Sequence, residues 1–129
     1  IAREGTDLTI VAFGAMVPRA LAVAAELAKE NVSVDVVDPR TTSPLDEEAI
    51  LDSVGKTGRL VVIDESPPRC SLAADIAGLV ADRGFRSLRA PVKQVTCPHT
   101  PVPFAPALED EYMPNPRRIM EAARAVLAA

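Results

Sequence analysis

The chain is short of the residues that usually announce chemistry. It has no tryptophan, three phenylalanines, one tyrosine, one histidine (His99) and two cysteines, Cys70 and Cys97. Two cysteines are too few for a disulfide scaffold and fit a reducing compartment, so the expected location is the cytoplasm. No apolar run approaches the roughly 20 residues of a membrane helix, and no signal-peptide pattern opens the chain. No membrane contact is therefore expected. A formal charge of −4 with no basic stripe argues against nucleic acid as a partner.

Several motifs are missing as well. No GxGxxG follows a strand, and Phe13-Gly14-Ala15-Met16 holds only one of the glycines a dinucleotide turn requires. There is no GxxxxGK[ST] phosphate loop. Cys70, Cys97 and His99 lack the CxxC spacing of a zinc site, and a fourth ligand would have to be invented. No metal ligand, catalytic residue or cofactor-binding residue is assigned from pattern.

With aromatics scarce, the core must be built from Ala, Val, Leu and Ile. At 129 residues and 48% hydrophobic composition, residues 1–129 form one domain with a sizeable core. The start, Ile1-Ala2-Arg3-Glu4 without Met, reads as a domain of a longer polypeptide.

Apolar runs alternate with helical patterns along the chain. Leu8–Phe13 is a strand ended by Gly14, and Met16–Lys29 is a helix with Leu21, Ala24, Ala25, Leu27 and Ala28 on its apolar face. Val32–Val37 is a further strand. Ser43-Pro44 has the form of an N-cap and first-turn proline, opening a helix that buries Leu45, Ile50, Leu51 and Val54 and stops at Gly55. Leu60–Ile63, apolar and largely β-branched, reads as a strand buried on both faces. The helix after it places Leu72, Ile76, Leu79 and Val80 on one side. Val92–Thr96 is a shorter, more polar edge strand. Asn115-Pro116 caps a last helix carrying Ile119, Met120, Ala123, Val126 and Leu127. This alternation predicts an α/β fold with parallel pairing through right-handed crossovers.

Asp64 and Glu65 end the central strand, where catalytic carboxylates are often found. Acids there also stabilise the positive end of the next helix. Cys70 precedes that helix without a partner base, and an inert buried thiol is the simpler expectation for it.

The stretch from Pro98 to Pro116 is more informative. It holds six of the twelve prolines and reads as a stiff, structureless loop. Phe104, Tyr112 and Met113 sit there beside the acids Glu109, Asp110 and Glu111. Either the loop packs on its own sheet or it meets another subunit, as the enrichment of aromatics and Met at interfaces favours. Arg117 and Arg118 lie in the first turn of the last helix, against its dipole, so acids at 109–111 or on a partner must offset them. The candidate partner-binding residues are Phe104, Glu109, Asp110, Tyr112, Arg117 and Arg118.

A family resemblance enters on these words: Gly5-Thr6-Asp7-Leu8-Thr9-Ile10-Val11, Val36-Val37-Asp38-Pro39-Arg40-Thr41, Pro44-Leu45-Asp46, Gly55-Lys56-Thr57-Gly58-Arg59-Leu60-Val61-Val62, Pro101-Val102-Pro103-Phe104 and Ala107-Leu108-Glu109. In this order they resemble the C-terminal domain of the β subunit in thiamine-diphosphate-dependent 2-oxoacid and acetoin dehydrogenases, within the transketolase-like group. Pro68-Arg69-Cys70-Ser71 and the segment from Pro98 to Phe104 look most like the acetoin member.

The resemblance implies a three-layer α/β/α domain on a mostly parallel five-stranded mixed sheet. Its antiparallel edge strand would be represented by Ile1–Glu4. It further implies an α₂β₂ heterotetramer containing an α subunit and a second β subunit. Thiamine diphosphate and Mg²⁺ would serve the intact enzyme, with neither bound by this fragment, and acyl units would pass to a lipoyl group. The peripheral binding domain of the lipoyl acyltransferase is then a further partner. The competing expectation is a self-sufficient small-ligand- or nucleotide-binding α/β domain with Gly14 and the Asp64–Arg69 turn flanking its site. A stand-alone interaction module is the third.

Overall fold

The computed structural model describes residues 1–129. Ten elements follow one another: β1 (Leu8–Ala12), α1 (Met16–Lys29), β2 (Val34–Val37), α2 (Glu47–Thr57), β3 (Leu60–Ile63), α3 (Leu72–Arg83), a 3₁₀ turn (Phe85–Ser87), β4 (Lys93–Val95), α4 (Pro106–Tyr112) and α5 (Pro116–Leu127). The strands form one parallel sheet in the order β2-β1-β3-β4. Every residue of β1, β2 and β3 is buried, as apolar strands covered on both faces require.

Strand alternation divides the core into two layers. Leu8, Ile10, Val34, Val36, Val61 and Ile63 face α1 and α5, meeting Met16, Ala20, Val23, Leu27, Ile119, Ala123 and Val126. Val11, Val37, Leu60 and Val62 face α2 and α3, meeting Ile50, Val54, Ala73, Ile76 and Val80. The arrangement is α/β/α. Each fully buried Leu or Ile contributes about 1.5–3 kcal/mol of transfer free energy.

Four expectations need correction. The sheet has four strands, and Ile1–Glu4 adds a single antiparallel bridge, Arg3 to Val36, rather than a fifth strand. The helix read from Ser43-Pro44 to Gly55 is displaced towards the C-terminus. Ser43–Pro44 is a cis peptide, Asp46 is the N-cap, accepting from the Ala49 N–H at 3.1 Å, and Gly58 at φ 71° closes the helix. Gly55 lies inside it because the left-handed stop that only glycine adopts easily falls three residues later.

The stretch from Pro98 to Pro116 is not structureless either, since Pro106 begins the two-turn helix α4. Finally, helix faces are rotated relative to their apolar patterns. Ala25 and Ala28 are exposed while Met16, Ala20 and Val23 are buried, and Ala73 is buried where Leu72 and Leu79 are only partly so. Alanine-rich helices carry little amphipathic contrast, so tertiary packing sets their rotation.

Candidate functional site

Strand order reverses between β1 and β3, the place where open α/β sheets usually bind ligands. Gly14 (φ 49°) and Asp64-Glu65 stand there. A Cβ on Gly14 would meet only the Glu65 Oε1, at 3.8 Å. Asp64 is buried with both oxygens occupied: Oδ1 accepts from the Ser66 N–H at 2.9 Å and Oδ2 from the Ala73 N–H at 3.1 Å. It therefore works as a cap for the turn and for α3, together with Ser71, whose Oγ accepts from the Ala74 N–H at 3.2 Å.

Cys97 is buried, donates to the Met113 sulfur at 3.7 Å, and is held above the ordinary thiol value of 9.0 by desolvation, against the lowering influence of Arg118. Cys70, expected buried, is exposed at φ 53°. Cys70, Cys97 and His99 form no three-ligand group.

Sequence reading missed a buried polar network under α2. Asp35 is fully buried on β2, beside Thr9 in register on β1. Its carboxylate accepts from the Gly5 N–H at 3.2 Å and the Ser53 hydroxyl at 2.5 Å, and pairs with the Lys56 ammonium at 2.8 Å. Thr9 Oγ1 lies 2.7 Å from both Ser53 Oγ and Thr57 Oγ1. Lys56 also reaches Glu4 at 3.0 Å, and its pKa is raised by its hydrogen bonds to Asp35 and Glu4. Gly5 is obligatory, because a Cβ there would fall 2.1 Å from the Val34 carbonyl carbon. The signal was present in the sequence as a charged residue inside the apolar run Val34-Asp35-Val36-Val37.

The proline-rich arm divides the six candidate partner-binding residues. Tyr112 is only 8% exposed, and its hydroxyl donates to the Thr100 carbonyl at 3.4 Å. Arg118 is partly buried and donates to the Thr96 carbonyl at 2.6 Å. Both side chains make these hydrogen bonds within the domain. Phe104, Glu109, Asp110 and Arg117 are exposed.

Val102 and Leu108, 67% and 61% exposed, join the fully exposed Phe104. Val102, Pro103, Phe104 and Glu109 line an open cavity of about 360 Å³. Arg117, against the helix dipole as expected, is offset by Glu121 at 3.0 Å and by Glu111 at 3.8 Å.

The domain is thus a parallel sheet of order β2-β1-β3-β4 between two helical layers, with an arm that exposes apolar side chains. The chain belongs to the family described as transketolase, C-terminal domain, whose profile matches residues 1–119. Among its relatives is the β subunit of acetoin:2,6-dichlorophenolindophenol oxidoreductase of Bacillus subtilis (strain 168). It is 56% identical over 120 residues, covering 93% of this chain and 35% of the relative. The β subunit of the pyruvate dehydrogenase E1 component of the same organism is 46% identical over 127 residues, 98% of this chain and 39% of the relative. A solved structure described as a split gene transketolase, inactive beta4 tetramer, superposes with a TM-score of 0.83 at 29% identity, covering 98% of this chain and 40% of that one. The chain thus spans little more than a third of the curated relatives' length.

Proposed function

We propose that this chain is the C-terminal assembly and docking domain of the β subunit of a thiamine-diphosphate-dependent dehydrogenase acting on acetoin, pyruvate or a branched-chain 2-oxoacid. The observation that carries this reading is 56% identity over 93% of the chain to a β subunit of acetoin oxidoreductase. The intact enzyme would be an α₂β₂ heterotetramer in the cytoplasm, passing its acyl unit to the lipoyl group of an acyltransferase. The bridge between Arg3 and Val36 would be one end of an antiparallel fifth strand in the longer subunit.

The residues present do not fit a thiamine diphosphate–Mg²⁺ site. Asp64, the buried carboxylate at the sheet's switch point, already has both oxygens engaged by backbone N–H groups. Asp35 is likewise consumed by Gly5, Ser53 and Lys56. The role left to this domain is to hold subunits together, and no catalytic step is assigned to it. No helix is long and apolar enough to cross a membrane.

Isothermal calorimetry on the isolated domain tests the reading. Thiamine diphosphate with Mg²⁺ is expected to give no binding heat. A micromolar affinity would replace this reading with a self-sufficient ligand-binding domain, and loss of that heat in Gly14→Asp would place its site at the switch point.

A further inference from the structure

The buried network under α2 reaches the first residues of the chain through one cation. Asp35 is fully buried; its Oδ2 pairs with the Lys56 ammonium at 2.8 Å and its Oδ1 accepts from the Gly5 N–H at 3.2 Å. The same ammonium donates to Glu4 Oε2 at 3.0 Å, across 52 residues of sequence. Two adjacent residues are thus tied to one ion pair, Gly5 through its backbone and Glu4 through its side chain. A buried ion pair is often no more stabilising than apolar residues of the same volume, so core stability alone gives little reason for this one. What it adds is a fixed position for the groups it bonds. An exposed Glu–Lys pair is ordinarily worth little, because both long side chains must be ordered to form it. Here Asp35 already holds the cation, so Glu4 meets a preorganised partner.

The residues before Glu4 are held less closely. The Ala2 N–H donates to the Val36 carbonyl and the Val36 N–H to the Arg3 carbonyl, each at 2.8 Å, around the antiparallel bridge of Arg3 to Val36. Ile1 is 56% exposed and borders two open cavities. One, of about 340 Å³, is shared with Glu4, Asp35 and Lys56, and the other, of about 100 Å³, with Ala2, Asp38 and Arg40. Close packing begins at Gly5, whose backbone lies against Val34 with no room for a Cβ. Resting on the C-terminal position in a longer β subunit proposed above, we infer that Lys56 is a positioning residue. With Asp35 it latches Glu4 and Gly5, and so fixes the direction in which the chain enters this domain from the upstream half of the subunit. Movement of that half is taken up before Glu4, where contacts are sparse.

Hydrogen exchange of full-length β in the reconstituted enzyme, read by mass spectrometry of its peptides, tests the latch. Glu4→Gln removes only the segment's side of it. Exchange in residues 2–5 and at Val36 is expected to rise about 3-fold, with wild-type rates kept at Val61–Ile63. Lys56→Met alone would strand a buried carboxylate, so it is combined with Asp35→Asn. That neutral pair is expected to speed exchange in residues 2–5 and at Val36 about 10-fold more than at Val61–Ile63. Wild-type rates in residues 2–5 in both variants would overturn the latch, leaving the bridge and the Gly5 contact as the segment's only hold. Equal acceleration at both places would also overturn it, because the network would then serve the core alone. Failure of wild-type β to assemble with α would instead remove the reading on which the latch rests, and exchange in the full-length chain by itself would still decide whether Lys56 holds residues 2–5.

Discussion

Two thiols with the same side chain have opposite circumstances. Cys70 is exposed, while Cys97 is buried against Met113 and held protonated by desolvation. A thiol reagent at pH 8 is expected to modify Cys70 in the native protein and Cys97 only after denaturant is added, read by mass of the labelled peptides. The same burial has a pH consequence. The folded Cys97 value lies above the ordinary 9.0, so its contribution is complete below pH 9.0 and is lost as pH rises beyond it. Lys56 acts in the same sense at higher pH. Its folded value is raised above 10.5, so its contribution persists through neutrality and is lost only as pH climbs through that raised value. Urea midpoints should therefore fall above pH 9, and Cys97→Ala should flatten the first part of that decline.

At the scale of elements, one carboxylate joins a strand to a helix. Asp64 leaves β3 and accepts from the Ser66 and Ala73 N–H groups, so it orders the turn and satisfies the start of α3 at once. Asp64→Ala leaves one buried and one partly buried donor without partners and is expected to cost about 2–3 kcal/mol. Ser71→Ala, which removes one cap bond, is expected to cost about 1 kcal/mol. Urea denaturation of the isolated domain measures both, and equal costs would show that Asp64 is no more than an ordinary cap. The two possible roles for an acid after the central strand could not be separated from sequence, because both place the same residue at the same position. Distances to the N–H groups separated them. The opening of α2 is ambiguous in sequence for a related reason. Ser43-Pro44 and Asp46 both have the residue types of a helix start, and the backbone used the second.

At the scale of the whole molecule, the arm is both part of the core and exposed. Tyr112 within it is buried, while Phe104 stands free eight residues earlier. Tyr112→Ala is expected to lower domain stability by about 3 kcal/mol, as deletion of a buried ring does. Phe104→Ala should leave the thermal midpoint unchanged. Differential scanning calorimetry of the two variants checks the contrast, and a large loss in Phe104→Ala would mean that this ring packs within the domain.

The sequence by itself determined the α/β class, the alternation of the four strands with α1, α2, α3 and α5, the strand at Leu60–Ile63, that at Leu8–Phe13 to within one residue, and the family. Those features rest on local periodicity and on words of consecutive residues, which are readable without neighbours. Only the tertiary structure decided which face of the alanine-rich helices is buried and whether Asp64 is free. It also decided that Asp35 is the centre of a network joining Gly5, Ser53 and Lys56. Partners there lie 18 to 30 residues apart along the chain for the hydrogen bonds, so only folding brings them together. Tyr112 and Phe104 likewise read alike as aromatic residues among prolines, and packing alone buried one and left the other at the surface.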